Sequence, residues 1–527
     1  MWADLVLLGG NVLTMNPSQS CAEAIAIKSD RIVKVGTNEA ISRCIGKKTK
    51  VISLNGKTVT PGFIDTHIHV LDFGRFLAWV DLRDAKSIKE MQSSLRERVQ
   101  KGPIGKWIIG HGWDHNCFAE KRLPTRFDLD VVSPANPVIF YHQSGQVCVV
   151  NSKALELAGV TKQTSAPPGG TIDKDGKKGE PTGVLRDAAT DLVWKIIPEH
   201  NEKEHMEAAG FACEKIVEAG VTSVHWIVLS SIEVSIIQRL RKENKLPLRV
   251  YVIVPMNLFD NLIGLGLRES LEDDMLRIGG VQVFADGYLA ARTAALLQPY
   301  SDDPSTSGTL LCTQEEMKAS AAKILEADFQ LVIHAMGDKA IDVALATIED
   351  ATIESQAKDF PVRLEQAAVL NEELLRRMKK QKVIVSVQPR VVAAEFSVWS
   401  AADHLGPKRA KWLYPVKTLL KEGIRVIGGS DCPMEPLSPL LGVQTAVIRD
   451  FFPEERITVD EALRMYTVDA AYSSGEERIK GSIETGKLAD LTILSHDPRI
   501  VSPNEIKNIT VEMTIVGGTV IYSKSTL

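Results

Sequence analysis

From residue 60 onward, apolar β-branched runs alternate with stretches of helical periodicity, the βα pattern of a parallel sheet or barrel. The strand-like runs fall at 60–69, 220–228, 247–254, 278–286, 329–335, 362–368, 382–388 and 424–430. That makes eight, the number that closes a (β/α)8 TIM barrel. Helical periodicity is clear around 202–219, 314–327, 339–350, 371–380 and 459–472. The last of these opens at Thr458 and Asp460, with Glu461 in its first turn, where a carboxylate favours the helix dipole.

The two ends of the chain have a different texture. Short apolar runs, Leu5–Leu8, Val12–Met15, Ala24–Ile27 and Ile32–Val35, are separated by Gly, Asn, Ser and Asp turns. The same pattern returns at 490–494, 511–516 and 519–522. One small β-sandwich built from 1–60 and 480–527 is therefore expected, flanking a barrel over 61–479. Residues 72–200 break the βα repeat with proline- and glycine-rich loops and one strand-like run, Pro137–Tyr141. An insertion of this length after the first barrel strand lies beside the active face, so it is expected to shape specificity and act as a lid.

A chain of 527 residues can hold a large barrel and a smaller domain. With 24% charged residues and a formal net charge of −5, nothing points to nucleic acid or an anionic membrane as partner. Seven scattered cysteines without a CxxC pair argue against a disulfide framework. The first residues lack a basic segment followed by an apolar one, and no apolar run reaches membrane-spanning length. The expectation is a cytoplasmic protein that acts on a small molecule; the strand edge at 511–522 could also pair between subunits of a homo-oligomer.

The chemistry concentrates at strand ends. The run Pro61–Val70 finishes in His67 and His69, two residues apart, so in a strand both imidazoles share one face. The run 329–335 delivers His334 before Gly337, and the run 424–430 ends at Asp431. Three histidines and a carboxylate, each at the C-terminal end of a strand, fit one catalytic divalent ion at the face where such barrels keep their active sites. Zinc is the expected metal, and the same donors suit iron, nickel or manganese. His225 reads as a capped core histidine. His111, His115, His142, His200, His205, His404 and His496 show no ligand spacing.

With these residues in place, the chain resembles the amidohydrolase superfamily, and within it the amidohydrolase-3 branch that includes N-substituted formamide deformylases. The resemblance spans nearly the whole length. It rests on Gly62–His69, Gly112-Trp113-Asp114 with Pro124–Asp130, Asn151–Leu155, Phe284–Gly287, Arg292–Leu296, His334–Ala340, Gly429–Pro433 and Gly481–Asp490. It implies the barrel, the terminal β-sandwich and a metal-activated water. Three positions depart from the family pattern. Gln282 stands where a lysine, often carboxylated to bridge two metals, is usual; Gln366 replaces a metal-site histidine; Gly145-Gln146 replaces a histidine ahead of Asn151. A glutamine amide cannot take up CO2 to form a carbamate, and its neutral oxygen is a poor ligand for a transition metal. The second ion of the family arrangement should be lost, leaving a single-metal set like that of the adenosine- and cytosine-deaminase branches.

The implied reaction is hydrolysis of a non-peptide C–N bond in a small amide, formamide, cyclic amide or amidine. A bound ion lowers the pKa of water from about 15.7 towards about 7, and Asp431 shuttles the proton to the leaving nitrogen. Gln366 can donate a hydrogen bond there but cannot carry a proton. Asp65 and Glu365 are expected to orient imidazoles, with an Arg363 ion pair an equal alternative for Glu365. Asp286 and Arg292, Gln282, and Trp113, Asp114 and Gln146 of the insertion are candidates for substrate contact. Two other readings remain open: a lyase, decarboxylase or isomerase on the same metal barrel, and a metal-free retired homologue whose His67 and His69 turn away or bond to Gln366 and Gln282.

Overall fold

A computed structural model describes residues 2–199, 201–264, 266, 273–354 and 361–524. Two compact units are present, Met1–Phe73 with Ala209–Leu527, and Gly74–Ala208.

The first unit contains an eight-stranded, all-parallel sheet. Its strands are β1 (Phe63–Ile68), β2 (Val221–Ile227), β3 (Arg249–Pro255), β4 (Leu276–Phe284), β5 (Gln330–Ala335), β6 (Arg363–Gln366), β7 (Ile384–Val387) and β8 (Arg425–Gly428). Each lies inside or across one of the eight runs expected from the sequence. β1, β2, β5, β6 and β7 are buried along their whole length. Burial on both faces explains why they read as continuous apolar runs. Just past the strand ends, β1 and β8 meet through a parallel bridge, Ile68 to Cys432. The Asp431 amide donates to the His67 carbonyl at 2.8 Å, and the His69 amide donates to the Cys432 carbonyl at 3.0 Å. The sheet therefore closes as a (β/α)8 TIM barrel at the point where its histidines and its aspartate stand.

The helices follow the expected periodicity at Gln314–Glu326, Asp338–Glu354 and Glu372–Gln381. The stretch 459–472 is two helices, Val459–Met465 and Val468–Ser473, because Thr467 takes a non-helical conformation between them. The capping box expected there is formed by Thr458 and Glu461.

Strands from both chain ends share one sheet. Leu491–Leu494 pairs antiparallel with Thr58–Pro61 on one side and with Val511–Val516 on the other. A four-stranded sheet of residues from 5 to 53 supplies the other layer. Leu5, Leu7, Ile25 and Ile27 from it pack with Val59, Leu491, Ile493, Met513 and Ile515 in one buried cluster. Burying that much aliphatic surface is what joins the termini.

The second unit is richer in strands than its sequence indicates. It holds a six-stranded mixed sheet in the order Gly170–Lys174, Pro181–Asp187, Val147–Val150, Val138–His142, Ile108–Trp113, Val80–Asp81. Only the run at 137–141 was legible, because the others are short or carry Gly, Thr, Arg or Asp within them. Among the described residues, no helix is long and apolar enough to cross a membrane.

Candidate metal centre

His67 and His69 lie at the carboxyl end of β1, and Asp431 follows β8. His67 Nε2 is 3.5 Å from Asp431 Oδ1, and His69 Nε2 is 3.6 Å from the same oxygen. The three donor atoms fall within 4.8 Å of one another. In a tetrahedral zinc site with bonds near 2.0–2.1 Å, donors stand about 3.3 Å apart, so these spacings suit one ion with little movement. The far side of each ring is already tied back. His67 Nδ1 pairs with Glu365 Oε2 at 2.7 Å, and His69 Nδ1 with the Ile227 carbonyl at 3.2 Å. Each acceptor takes a hydrogen bond from Nδ1 and turns Nε2 towards Asp431, the orientation that metal-ligating histidines use.

Two backbone features make this convergence available. Asp431 has φ of +57°, the left-handed conformation that aspartate tolerates better than most non-glycine residues. A Cβ at Gly429 would lie 2.6 Å from both the backbone nitrogen and the Cβ of His67, so only glycine lets the end of β8 come this close to β1.

Asp65, fully buried, accepts the His67 amide at 3.2 Å and the Ser430 amide at 2.9 Å on one oxygen. It positions the backbone of both metal-facing segments and touches no imidazole directly; burial pushes its carboxyl up to about 6. Glu365 accepts from His67 Nδ1. Besides holding His67, it forms a fully buried ion pair with Arg363. Arg363 in turn donates to His225 Nδ1 at 2.9 Å, to Ser386 Oγ at 3.1 Å and to the Thr66 carbonyl. Burial disfavours a charge on Glu365, but Arg363 and then His67 outweigh it and hold the carboxylate near 2. Burial also opposes a charge on His67, and the Glu365 and Asp431 carboxylates overcome it, shifting the ring upward. His225 is buried beside the same guanidinium, and burial first, then that positive charge, hold it well below the ordinary imidazole range. It is a core histidine.

His334 sits on β5 in register with Glu365 of β6 and Phe284 of β4. Its Nε2 donates to the Gly287 carbonyl at 3.3 Å, and its ring lies between Phe284 and Tyr288. It is buried and held neutral by that burial, near 4. It does not join the three-donor group as placed, and a bond to the same ion would require it to leave Gly287.

Gln366 ends β6 with φ of +70°, followed by Ala367 at +44°. The Tyr414 hydroxyl donates to its Oε1 at 3.1 Å in a fully buried setting. That bond commits the amide oxygen and leaves the NH2 group as the end free to act. Tyr414 was not legible as a site residue: it stands in a loop, 48 positions from its partner. Gln282 is buried on β4.

Most of the remaining candidates for substrate contact are engaged elsewhere. Asp286 is fully buried and accepts three backbone amides, from Met336 (2.9 Å), Gly337 (2.8 Å) and Ala295 (2.8 Å), so it braces the loops after β4 and β5. Arg292 pairs with Asp302 at 2.6 Å, and Asp302 also takes His404 Nδ1 at 2.6 Å. In the second unit, Trp113 is completely buried and donates to the Phe140 carbonyl at 2.9 Å, a place in the core and not on a pocket wall. Gln146 is exposed there. That unit also gathers Asp114, His115 and His142, whose donor atoms lie within 4.8 Å of one another. Sequence spacing gave no sign of this group, because strand pairing brings its members together from 27 positions apart.

A sequence profile of the Amidohydrolase family matches residues 50–522. YtcJ of Bacillus subtilis (strain 168) is 34% identical over 98% of this chain and 99% of its own length. The N-substituted formamide deformylase of Arthrobacter pascens is 29% identical over 99% of both chains. The crystal structure of an uncharacterized metal-dependent hydrolase from Pyrococcus furiosus superposes with a TM-score of 0.78 at 33% identity, covering 94% of this chain and 99% of that one.

Proposed function

This chain belongs to the Amidohydrolase family, and from that premise we propose that it hydrolyses the C–N bond of a small amide, formamide, cyclic amide or amidine at a single metal ion held by His67, His69 and Asp431. It is a metal-dependent hydrolase of carbon–nitrogen bonds other than peptide bonds. The observation that carries the finer reading is the pair of imidazole Nε2 atoms, 3.5 and 3.6 Å from one Asp431 oxygen, with both Nδ1 atoms tied back.

A divalent ion in this cluster supplies Lewis acidity, acidifying water and polarising a substrate carbonyl. The protein's own groups do the rest. Glu365 keeps the His67 ring in one tautomer and one plane, and Arg363 neutralises the buried carboxylate so that it can stay charged. Asp431 Oδ1 stands between the imidazoles, and its other oxygen takes the proton of the attacking water and returns it to the leaving nitrogen. Gln366, its oxygen committed to Tyr414, offers an N–H to the developing negative charge on the substrate oxygen. Proton transfer therefore rests on Asp431 alone, and Gln366 is a donor only. His67 and His69 bond through Nδ1 to Glu365 and to the Ile227 carbonyl, which supports this reading over that of a retired site.

The test is metal per chain by elemental analysis, with a panel of formamides, cyclic amides and aminopurine-like compounds assayed for release of formate, amine or ammonia. His67→Ala should lower the metal content by one equivalent and abolish turnover of whichever compound is hydrolysed. Metal content unchanged by His67→Ala, or turnover that survives it, would overturn the assignment.

A further inference from the structure

The second unit carries a set of donors that the reaction does not use. Trp113 and His142 are paired across adjacent parallel strands, with a register shift between His111 and Trp113 and Gly112 at φ of +90°. Such a bulge re-aims the residues that follow it. Here the ring of His142 packs edge-on against Trp113 at 4.8 Å, and the ring of His115 comes within 5.6 Å of that of His142. Asp114 lies between them. Its Oδ1 is 3.5 Å from His142 Nε2 and 3.8 Å from His115 Nδ1. Both of these nitrogens are buried, and neither has a hydrogen-bond partner closer than that carboxylate. Buried imidazole nitrogens are rarely left this way, and two that face one carboxylate oxygen call for an explanation.

We propose that Asp114, His115 and His142 form a second metal site, for a divalent transition-metal ion of the zinc class. Two imidazoles and one carboxylate are the donors such ions prefer. The separations of 3.5 and 3.8 Å lie close to the edge of about 3.3 Å expected for a tetrahedral zinc site. The carboxylate is held for the purpose: Oδ1 accepts the Asn116 amide at 2.9 Å, and Oδ2 accepts Gln143 Nε2 at 2.8 Å and the Cys117 thiol at 3.6 Å. Ser144 backs the ring of His142: its amide donates to Nδ1 at 3.1 Å, and its Oγ lies 3.0 Å from the same atom. Binding an ion through Nε2 would move the proton to Nδ1, where Oγ can accept it and the Ser144 amide bond is given up. His115 is about a third exposed, so water completes the coordination. The ion would fasten the segment after one strand to the end of its neighbour, a structural role within the second unit.

The experiment uses the full chain with His67→Ala and His69→Ala, which removes the barrel donors and separates this proposal from the one above. One zinc per chain should remain after dialysis against metal-free buffer. Crystals should show an anomalous peak at the zinc edge between Asp114, His115 and His142. Adding His142→Gln should abolish the retained zinc. Ser144→Ala should weaken binding by ~10–100-fold, the usual effect of losing a group that orients a metal ligand. If His142→Gln does not fold, His115→Asn on the more exposed side chain makes the same measurement. Zinc that is not retained, that binds only at millimolar concentration, or that survives replacement of both histidines would overturn the proposal.

Discussion

Glu395 offers a quantitative test that needs no substrate. It lies in the helix Pro389–Ser397, is 2% exposed, and its Oε2 has no hydrogen-bond partner. Burial alone pushes its carboxyl from the ordinary 4.5 up to about 7. A folded-state value raised above the unfolded one means that the native chain binds the proton more tightly. Wild-type stability is therefore undiminished at low pH, falls between about pH 4.5 and 7, and stays reduced above 7. A shift of that size corresponds to ~3 kcal/mol at full deprotonation, of which ~2.5 kcal/mol develops between pH 5 and 8.5.

Glu395→Gln removes the titration and keeps the shape. Any cost of burying an amide is the same at every pH and cancels when the variant is compared with wild type across pH. With ~2.1 cal/mol/K of unfolding entropy per residue, a unit of roughly 390 residues shifts by about 3 °C for that difference. Differential scanning fluorimetry of both proteins at pH 5 and 8.5 reads it directly. The gap in Tm, variant minus wild type, should widen by about 3 °C at the higher pH. A gap that is constant, or that narrows, would mean Glu395 is charged and solvated in the native state, and the burial argument would fail.

Two further predictions concern the barrel. Tyr414→Phe leaves the buried Gln366 oxygen unpaired, at a cost of ~1–3 kcal/mol, and frees the amide to turn; kcat should fall about tenfold or more while metal content and KM stay near wild type. A fall in bound metal, or no change in kcat, would refute the orienting role. Gln282→Lys combined with Gln366→His restores the two side chains a second barrel ion would need, so elemental analysis should show one more equivalent than wild type. An unchanged content would mean that these glutamines are not what limits the site to one ion.

The barrel was legible because its strands are buried on both faces, which leaves unbroken apolar runs at fixed spacing. The residues that end those runs were legible for the same reason: His67, His69 and Asp431 are polar groups placed where the apolar pattern stops. What escaped is what depends on pairing distant segments. Tyr414 reaches Gln366 from a loop, and Asp114, His115 and His142 meet only once two short, polar-spotted strands align with a bulge. Asp286 and Arg292 looked like ligand groups because they follow a strand end. Their partners, three backbone amides and Asp302, cannot be read from local sequence.

Charge accounting at the barrel floor bears on the number of ions. Among the described residues that touch the site, the permanent negative charges are Glu365 and Asp431, and Asp65, whose carboxyl burial pushes up to about 6, keeps its oxygen for two backbone amides. Glu365 is already matched by Arg363, fully buried beside it. Asp431 is then the only carboxylate left to face a metal. One divalent ion is met by the Asp431 carboxylate and by the Nε2 atoms of His67 and His69. A second ion would bring two more charges into the same interior, where Gln282 and Gln366 are neutral and His334 is bonded to the Gly287 carbonyl. Desolvating an uncompensated ion costs several kcal/mol. Gln282 and Gln366 therefore do more than omit two ligands. On the single-ion reading proposed above they also withhold the charge that a second ion would need, while the Arg363–Glu365–His67 chain holds the ring that would meet the first.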